Sequence, residues 1–139
     1  IGTGLVGSEM CIRDRAHAQK FDELVEKKET RATALMPLWH LSGFTLGVVS
    51  ALGGRNSLMA CTEAVEEVID KHYSDQISEL ENSGKEPEIL EIIKKFHADE
   101  LEHEEIAKNE ISENTPFLNA FKKVVKVGCK VAINVSEKI

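Results

Sequence analysis

Helices alone account for the hydrophobic pattern of this 139-residue chain. Three observations predict an all-α fold. No stretch sustains the period-two alternation of a half-buried strand. Proline occurs only at positions 37, 87 and 116, each where a helix can begin, since the first turn of a helix leaves that N–H without an intrahelical partner anyway. Between these points apolar residues recur at helical spacing, and glycines fall at the breaks.

The first predicted helix covers residues 14–29, where Phe21, Leu24 and Val25 share a face with Asp14 and His17. A second covers 37–52, behind Pro37. The Gly53-Gly54-Arg55-Asn56 break follows, with Asn56 the expected N-cap of a third helix over 57–82. Asn82-Ser83-Gly84 makes a turn, Gly84 suiting a left-handed helix end, and a fourth helix covers 87–112. Thr115-Pro116 is a cap followed by a first-turn proline and opens the fifth, 116–137.

The residues ahead of these helices read differently. Residue 1 is Ile, the first methionine is Met10, and 1–13 carry no apolar periodicity. No basic segment followed by an apolar one marks a signal peptide. The string Ser8-Glu9-Met10-Cys11-Ile12-Arg13-Asp14-Arg15 resembles translated sequencing-adapter sequence. Residues 1–15 are therefore expected to be foreign, with native sequence upstream lost, and 16–139 to form one domain.

Composition narrows the function. Lys and Arg number 17 against 24 Asp and Glu, a formal charge of −7, which argues against nucleic acid as a partner because phosphate contacts need a basic face. Cys11, Cys61 and Cys129 are odd in number and lack metal-type spacing. They read as free thiols in a reducing compartment, with Cys61 and Cys129 packing between helices.

The second helix lies in a run of 23 residues, Ala32 to Gly54, without Asp, Glu, Lys or Arg. Its length alone could span a bilayer, but Pro37, His40, Ser42, Thr45 and Ser50 dilute it. Gly43 and Gly47 would let another helix approach closely. The expectation is a helix half in the core and half against a membrane surface over residues 35–52. An all-buried core helix and a true span are the alternatives.

The chemistry lies in polar residues on apolar faces. With Phe96 as the centre of the fourth helix's stripe, Glu100 falls about 40° to one side and His103 about 20° to the other, whereas Glu102 and Glu105 point outward. On the third helix Glu66 lies about 60° from Ile69, inward, while Glu67 faces out and His72 sits on the opposite flank. Glu66 and Glu100 are equidistant from Ser83, so an antiparallel hairpin brings them level. Asp14 and His17 repeat the i, i+3 carboxylate–imidazole pair; the residues level with His17 on the second helix, Val48 and Val49, offer no ligand.

A buried carboxylate and imidazole need a partner or a metal. Two Glu-x-x-His pairs and a lone Glu on each of two further helices hold two irons in ferritin-like bundles. This chain supplies one lone Glu, Glu66, and its first pair opens with Asp14 rather than Glu. Glu9 is too close in sequence to Asp14 to cross a bundle, so the missing ligand is assigned to a lost first helix. His40 and His97 lack such company and read as structural or surface residues. Tyr73 is either a core residue whose hydroxyl needs a partner or a site residue for radical or proton transfer.

Longer stretches carry a resemblance. Arg31-Ala32-Thr33-Ala34-Leu35-Met36-Pro37-Leu38-Trp39, Gly43-Phe44-Thr45-Leu46-Gly47, Met59-Ala60-Cys61-Thr62, Ala64-Val65-Glu66-Glu67, His72-Tyr73, Asp99-Glu100-Leu101-Glu102-His103 and Gly128-Cys129-Lys130-Val131-Ala132-Ile133 resemble the demethoxyubiquinone hydroxylase family, from about residue 16 to the last. The resemblance implies a ferritin-like antiparallel bundle, here without its first helix. It also implies a di-iron monooxygenase of ubiquinone biosynthesis that hydroxylates the ring of a polyprenylated demethoxyubiquinone with O2 and reducing equivalents. The family's metal ligands fall on Asp14, His17, Glu66, Glu100 and His103, and its quinone-side pair on His72 and Tyr73. Ala32 stands where the family usually has proline. A peripheral place on the cytoplasmic face of a bacterial inner membrane, or the matrix face of a mitochondrial one, and a partner from the same biosynthetic pathway are further implications. Two other readings are a ferritin- or rubrerythrin-like iron oxidase and, for a chain with five ligands at best, a non-catalytic helical module that binds a membrane or a partner.

Overall fold

The computed structural model describes the backbone of residues 2–139 and the side chains of residues 8–139. Five helices follow in order: α1 (Gly2–Lys27), α2 (Met36–Leu52), α3 (Arg55–Ser83), α4 (Pro87–Glu110) and α5 (Pro116–Ser136). No strand occurs among the described residues. The chain divides into two compact units, Ile1–Thr33 and Ala34–Ile139.

The first unit is α1 and the stretch that leaves it. The helix begins at Gly2, well before the predicted start at residue 14. A helix needs no apolar stripe where propensity and local ion pairs support it. Arg13 reaches Glu9 at 3.0 Å, and Lys20 reaches Glu23 at 3.1 Å. The helix closes as the Lys28 N–H donates to the Leu24 carbonyl at 2.9 Å, and Glu29 turns the chain with a φ of 52°. Residue 1 and the side chains of residues 1–7, part of the segment expected to be foreign, lie outside the described residues.

In the second unit α3 is the central element, packed along α4 and α5 and, over a shorter length, against α2. Its ends follow from glycine. Gly54 holds a φ of 90°, closed to other residues without strain, and turns the chain directly into α3 at Arg55. Asn56 is therefore inside the helix rather than its cap. Its side-chain oxygen instead accepts from the Ser112 N–H at 3.2 Å and the Ser112 hydroxyl at 3.1 Å, tying the start of α3 to the chain leaving α4. At the other end Gly84, φ 64°, donates to the Leu80 carbonyl at 3.0 Å. Pro87 then opens α4, giving the antiparallel hairpin. Thr115 caps α5 as predicted, its hydroxyl oxygen accepting from the Leu118 N–H at 3.2 Å.

The predicted α3 stripe centred on Ile69 is only half-buried; the buried α3 residues, among them Ala60, Cys61, Ala64, Glu66 and Val68, lie to its sides because α4 and α5 pack there. Cys61, Ala64 and Val125 form a cluster on the α5 side, with Leu46, Val65, Phe121 and Cys129 packed against it. On the other side α4 buries Ile93 and Phe96. Cys61, Cys129 and the exposed Cys11 are free thiols. Burial pushes the Cys61 thiol up, opposed by a hydrogen bond with Ser50, and burial likewise pushes Cys129 up.

Helix α2 meets the core over a narrow strip, with Leu46 against the Cys61 and Ala64 cluster. Ser50 is its buried residue, while Leu41, Phe44, Val49 and Leu52 are exposed, Phe44 to 72 %. A Cβ at Gly43 or Gly47 would meet nothing within 4 Å, so no described helix uses that small-residue pair. No helix among the described residues is long and apolar enough to cross a membrane.

Candidate metal centre

The hairpin register does what its arithmetic predicts. Glu66 on α3 meets Glu100 and His103 on α4, all three buried and His103 fully so. Each offers a ligand atom, and these atoms lie within 4.8 Å of one another. His103 Nδ1 is 3.2 Å from Glu100 Oε2, one turn away on its own helix, and 3.8 Å from Glu66 Oε1 across the hairpin. Two carboxylates and an imidazole are thus held together away from bulk water. A water-poor position makes such a cluster of acidic and imidazole groups costly, and a cation bound among them offsets that cost. Oxygen and imidazole donors suit iron or manganese rather than a thiolate-seeking metal, so the set fits the group its sequence implied.

Neighbouring carboxylates carry their own cations. Glu63 accepts from Lys122 at 3.1 Å, Glu67 pairs with Lys126, and the buried Glu104 pairs with Lys108. Glu102 and Glu105 are exposed, as their angular positions required, and so is His40. The contrast is informative: the α3–α4 interface holds a carboxylate pair around an imidazole, while the flanking acids each meet a lysine.

One turn toward the loop lies a second polar link that the sequence reading missed. His97 Nε2 is 2.5 Å from Asp70 Oδ1 and 3.4 Å from the Ser74 hydroxyl, so His97 joins α4 to α3. Tyr73 meets the same imidazole edge-on, ring centroids 6.4 Å apart. The signal was available, since Asp70 and His97 are also nearly equidistant from Ser83.

Of the other predicted site residues of this unit, His72 sits apart from this group. His72 is on the α5 flank of α3, its Nδ1 4.0 Å from Glu137, beside a polar cavity of about 380 Å³ that Lys130 and Asn134 also line. The structure does not bring it to Glu66. Tyr73, next to it in sequence, faces α4 instead. Asp14 and His17 lie on α1, in the other unit.

The chain is similar to known proteins along nearly all of its length. Residues 5–136, a span reaching into the 1–15 segment, match the family described as ubiquinone biosynthesis protein COQ7. The chain is 44% identical over 132 residues to the NADPH-dependent 3-demethoxyubiquinone 3-hydroxylase, mitochondrial, of Dictyostelium discoideum, covering 94% of this chain and 61% of that protein. To the Homo sapiens protein of the same name it is 43% identical over 138 residues, 98% of this chain and 64% of the relative. To the 3-demethoxyubiquinol 3-hydroxylase of Rhodospirillum rubrum it is 39% identical over 130 residues, 94% and 60%. The chain thus spans about three fifths of the length of these relatives. With the match running nearly end to end and the buried carboxylate–histidine group inside it, the chain belongs to the ubiquinone biosynthesis protein COQ7 family.

Proposed function

We propose that this chain is the larger part of a di-iron monooxygenase that hydroxylates the ring of a polyprenylated demethoxyubiquinol in ubiquinone biosynthesis. The observation that carries the reading is the buried Glu66, Glu100 and His103 group on the hairpin of a chain from this family. The ring C–H becomes C–OH as O2 takes two electrons and two protons and leaves one oxygen as water. Two irons, when bound, supply the activation of dioxygen. Glu66, Glu100 and His103 would be among the ligands, and Asp14 and His17 are the further pair that the resemblance assigns.

The chain's own residues then have distinct tasks. Glu100, through its 3.2 Å contact with Nδ1, fixes the orientation of the His103 ring. Ile93 and Phe96, buried on α4, help keep bulk water from the carboxylates. Tyr73, on the α4 side of α3, is the proposed residue for proton exchange with the substrate ring; His72, on the α5 flank, is not assigned a part in that step. The exposed apolar face of α2, within residues 35–52, would dock on the membrane that holds the isoprenoid tail. This puts the protein peripherally on an inner membrane, the matrix face in mitochondria or the cytoplasmic face in bacteria. A partner protein of the same pathway follows from the family alone.

Iron content and Mössbauer spectra of the purified chain test this reading. Iron binding by the purified chain is expected, and Asp14→Glu, which lengthens that ligand, is expected to raise the iron content. Loss of iron in Glu100→Gln and in His103→Ala is expected too. Unchanged iron content in both of those variants would overturn the assignment.

A further inference from the structure

Between α2, α3 and α5 lies an apolar, partly open cavity of about 560 Å³, reached on α3 by Val65, which points about 100° away from Glu66. Leu46, Val65, Phe121 and Cys129 form its walls, and no charged residue lines it. Its polar groups can be counted. The Ser42 hydroxyl donates to the Leu38 carbonyl at 2.8 Å, so that hydrogen is already committed. The Trp39 indole Nε1 is buried on the same wall and finds no hydrogen-bond partner among the described residues. A buried N–H left without an acceptor is uncommon in folded proteins and marks a place where an acceptor belongs.

We propose that this cavity seats one acyl chain of a membrane lipid, with the lipid's ester carbonyl accepting from Trp39 Nε1. Four features select that occupant. The lining excludes a charged ligand. Beside the weakly donating Cys129 thiol, the indole N–H is the one strong donor of the lining left without an acceptor among the described residues, and an ester carbonyl supplies one. The volume lies in the small-molecule range and is too small for a helix. Val124, a wall residue on α5, is 71 % exposed, and Gly43 belongs to the exposed surface of α2, so a chain leaving a bilayer reaches the cavity over apolar surface. None of Glu66, Glu100 and His103 lines this cavity, and the proposal does not depend on the hydroxylase reading.

Trp39 is the sole tryptophan, so its fluorescence reports the cavity without a label. The purified chain is titrated with methyl decanoate and with decane, each delivered from cyclodextrin. The ester is expected to shift the emission and saturate at one per chain, with decane binding about tenfold more weakly for want of the carbonyl. By calorimetry, Trp39→Phe should erase most of that difference. A Cβ at Gly128 meets nothing within 4 Å, so Gly128→Leu fills the cavity while keeping the helix, and it should abolish ester binding with the circular dichroism unchanged. Glu100→Gln, deficient in metal, should bind the ester as the parent does. Equal affinity for decane and ester in the parent, undiminished binding in Gly128→Leu, or displacement of the ester by an equimolar decyl-quinone would overturn the assignment.

Discussion

Thr115 shows how one side chain decides where α5 begins. Its oxygen takes the Leu118 N–H, one of four donors that the first turn leaves without intrahelical acceptors. Thr115→Ala should therefore lower stability by about 1 kcal/mol, read as a lower urea midpoint with an unchanged slope. An unchanged midpoint would show that water replaces the cap without loss. The cap was legible because Thr-Pro is a local signal. Glu66, Glu100 and His103 were legible for a different reason: each breaks an apolar stripe at a computable angle, and the turn at Gly84 fixes the level at which the two helices meet. Asn56 was not legible as a bridge to Ser112, because that contact joins residues 56 positions apart and no local pattern encodes it. Asp70 and His97 were passed over because His97 was judged without a companion across the hairpin.

At the scale of elements, α2 has the composition of a core helix and the exposure of a surface one. Its apolar run alone cannot say which face finds a neighbour. The two glycines that would have admitted a second helix face open space, and the α2–α3 contact is short. An apolar helix left uncovered favours a lipid surface, with its side chains in the headgroup region. Phe44→Asp should therefore reduce co-sedimentation with lipid vesicles by about tenfold or more, since a charge on the buried face loses roughly 2–3 kcal/mol, while the thermal midpoint stays put. Leu46→Asp supplies the contrast: Leu46 packs against the Cys61 and Ala64 cluster, so a carboxylate there should lower the midpoint as well. Unchanged sedimentation of Phe44→Asp would remove α2 as the docking surface. Helix α1 illustrates the opposite failure of the sequence pattern. Its early turns have no apolar stripe to detect, yet the Glu9–Arg13 pair and the absence of proline keep it helical.

For the whole molecule the question is how stability and metal binding share the same residues. The chain carries a formal −7, and two of its carboxylates are buried against one histidine between α3 and α4. Without a cation that arrangement opposes folding, because like charges are held together away from water. With a cation it becomes a ligand set, and binding to the folded state alone adds RT ln(1 + [L]/Kd), about 2.7 kcal/mol at a hundredfold excess over Kd. Ferrous ion under anaerobic conditions should therefore raise the thermal midpoint of the parent chain in a concentration-dependent way, and a chelator should reverse the rise. Glu100→Gln relieves the charge while keeping the shape. It should match or exceed the parent's midpoint in chelator and gain nothing from ferrous ion. A metal-dependent rise of equal size in Glu100→Gln would place the ion elsewhere, whereas a destabilised metal-free variant would show that Glu100 serves packing before chemistry. The predicted exchange, a less stable apo chain in return for an ion-binding one, is the pattern expected of residues kept for function at the expense of the fold.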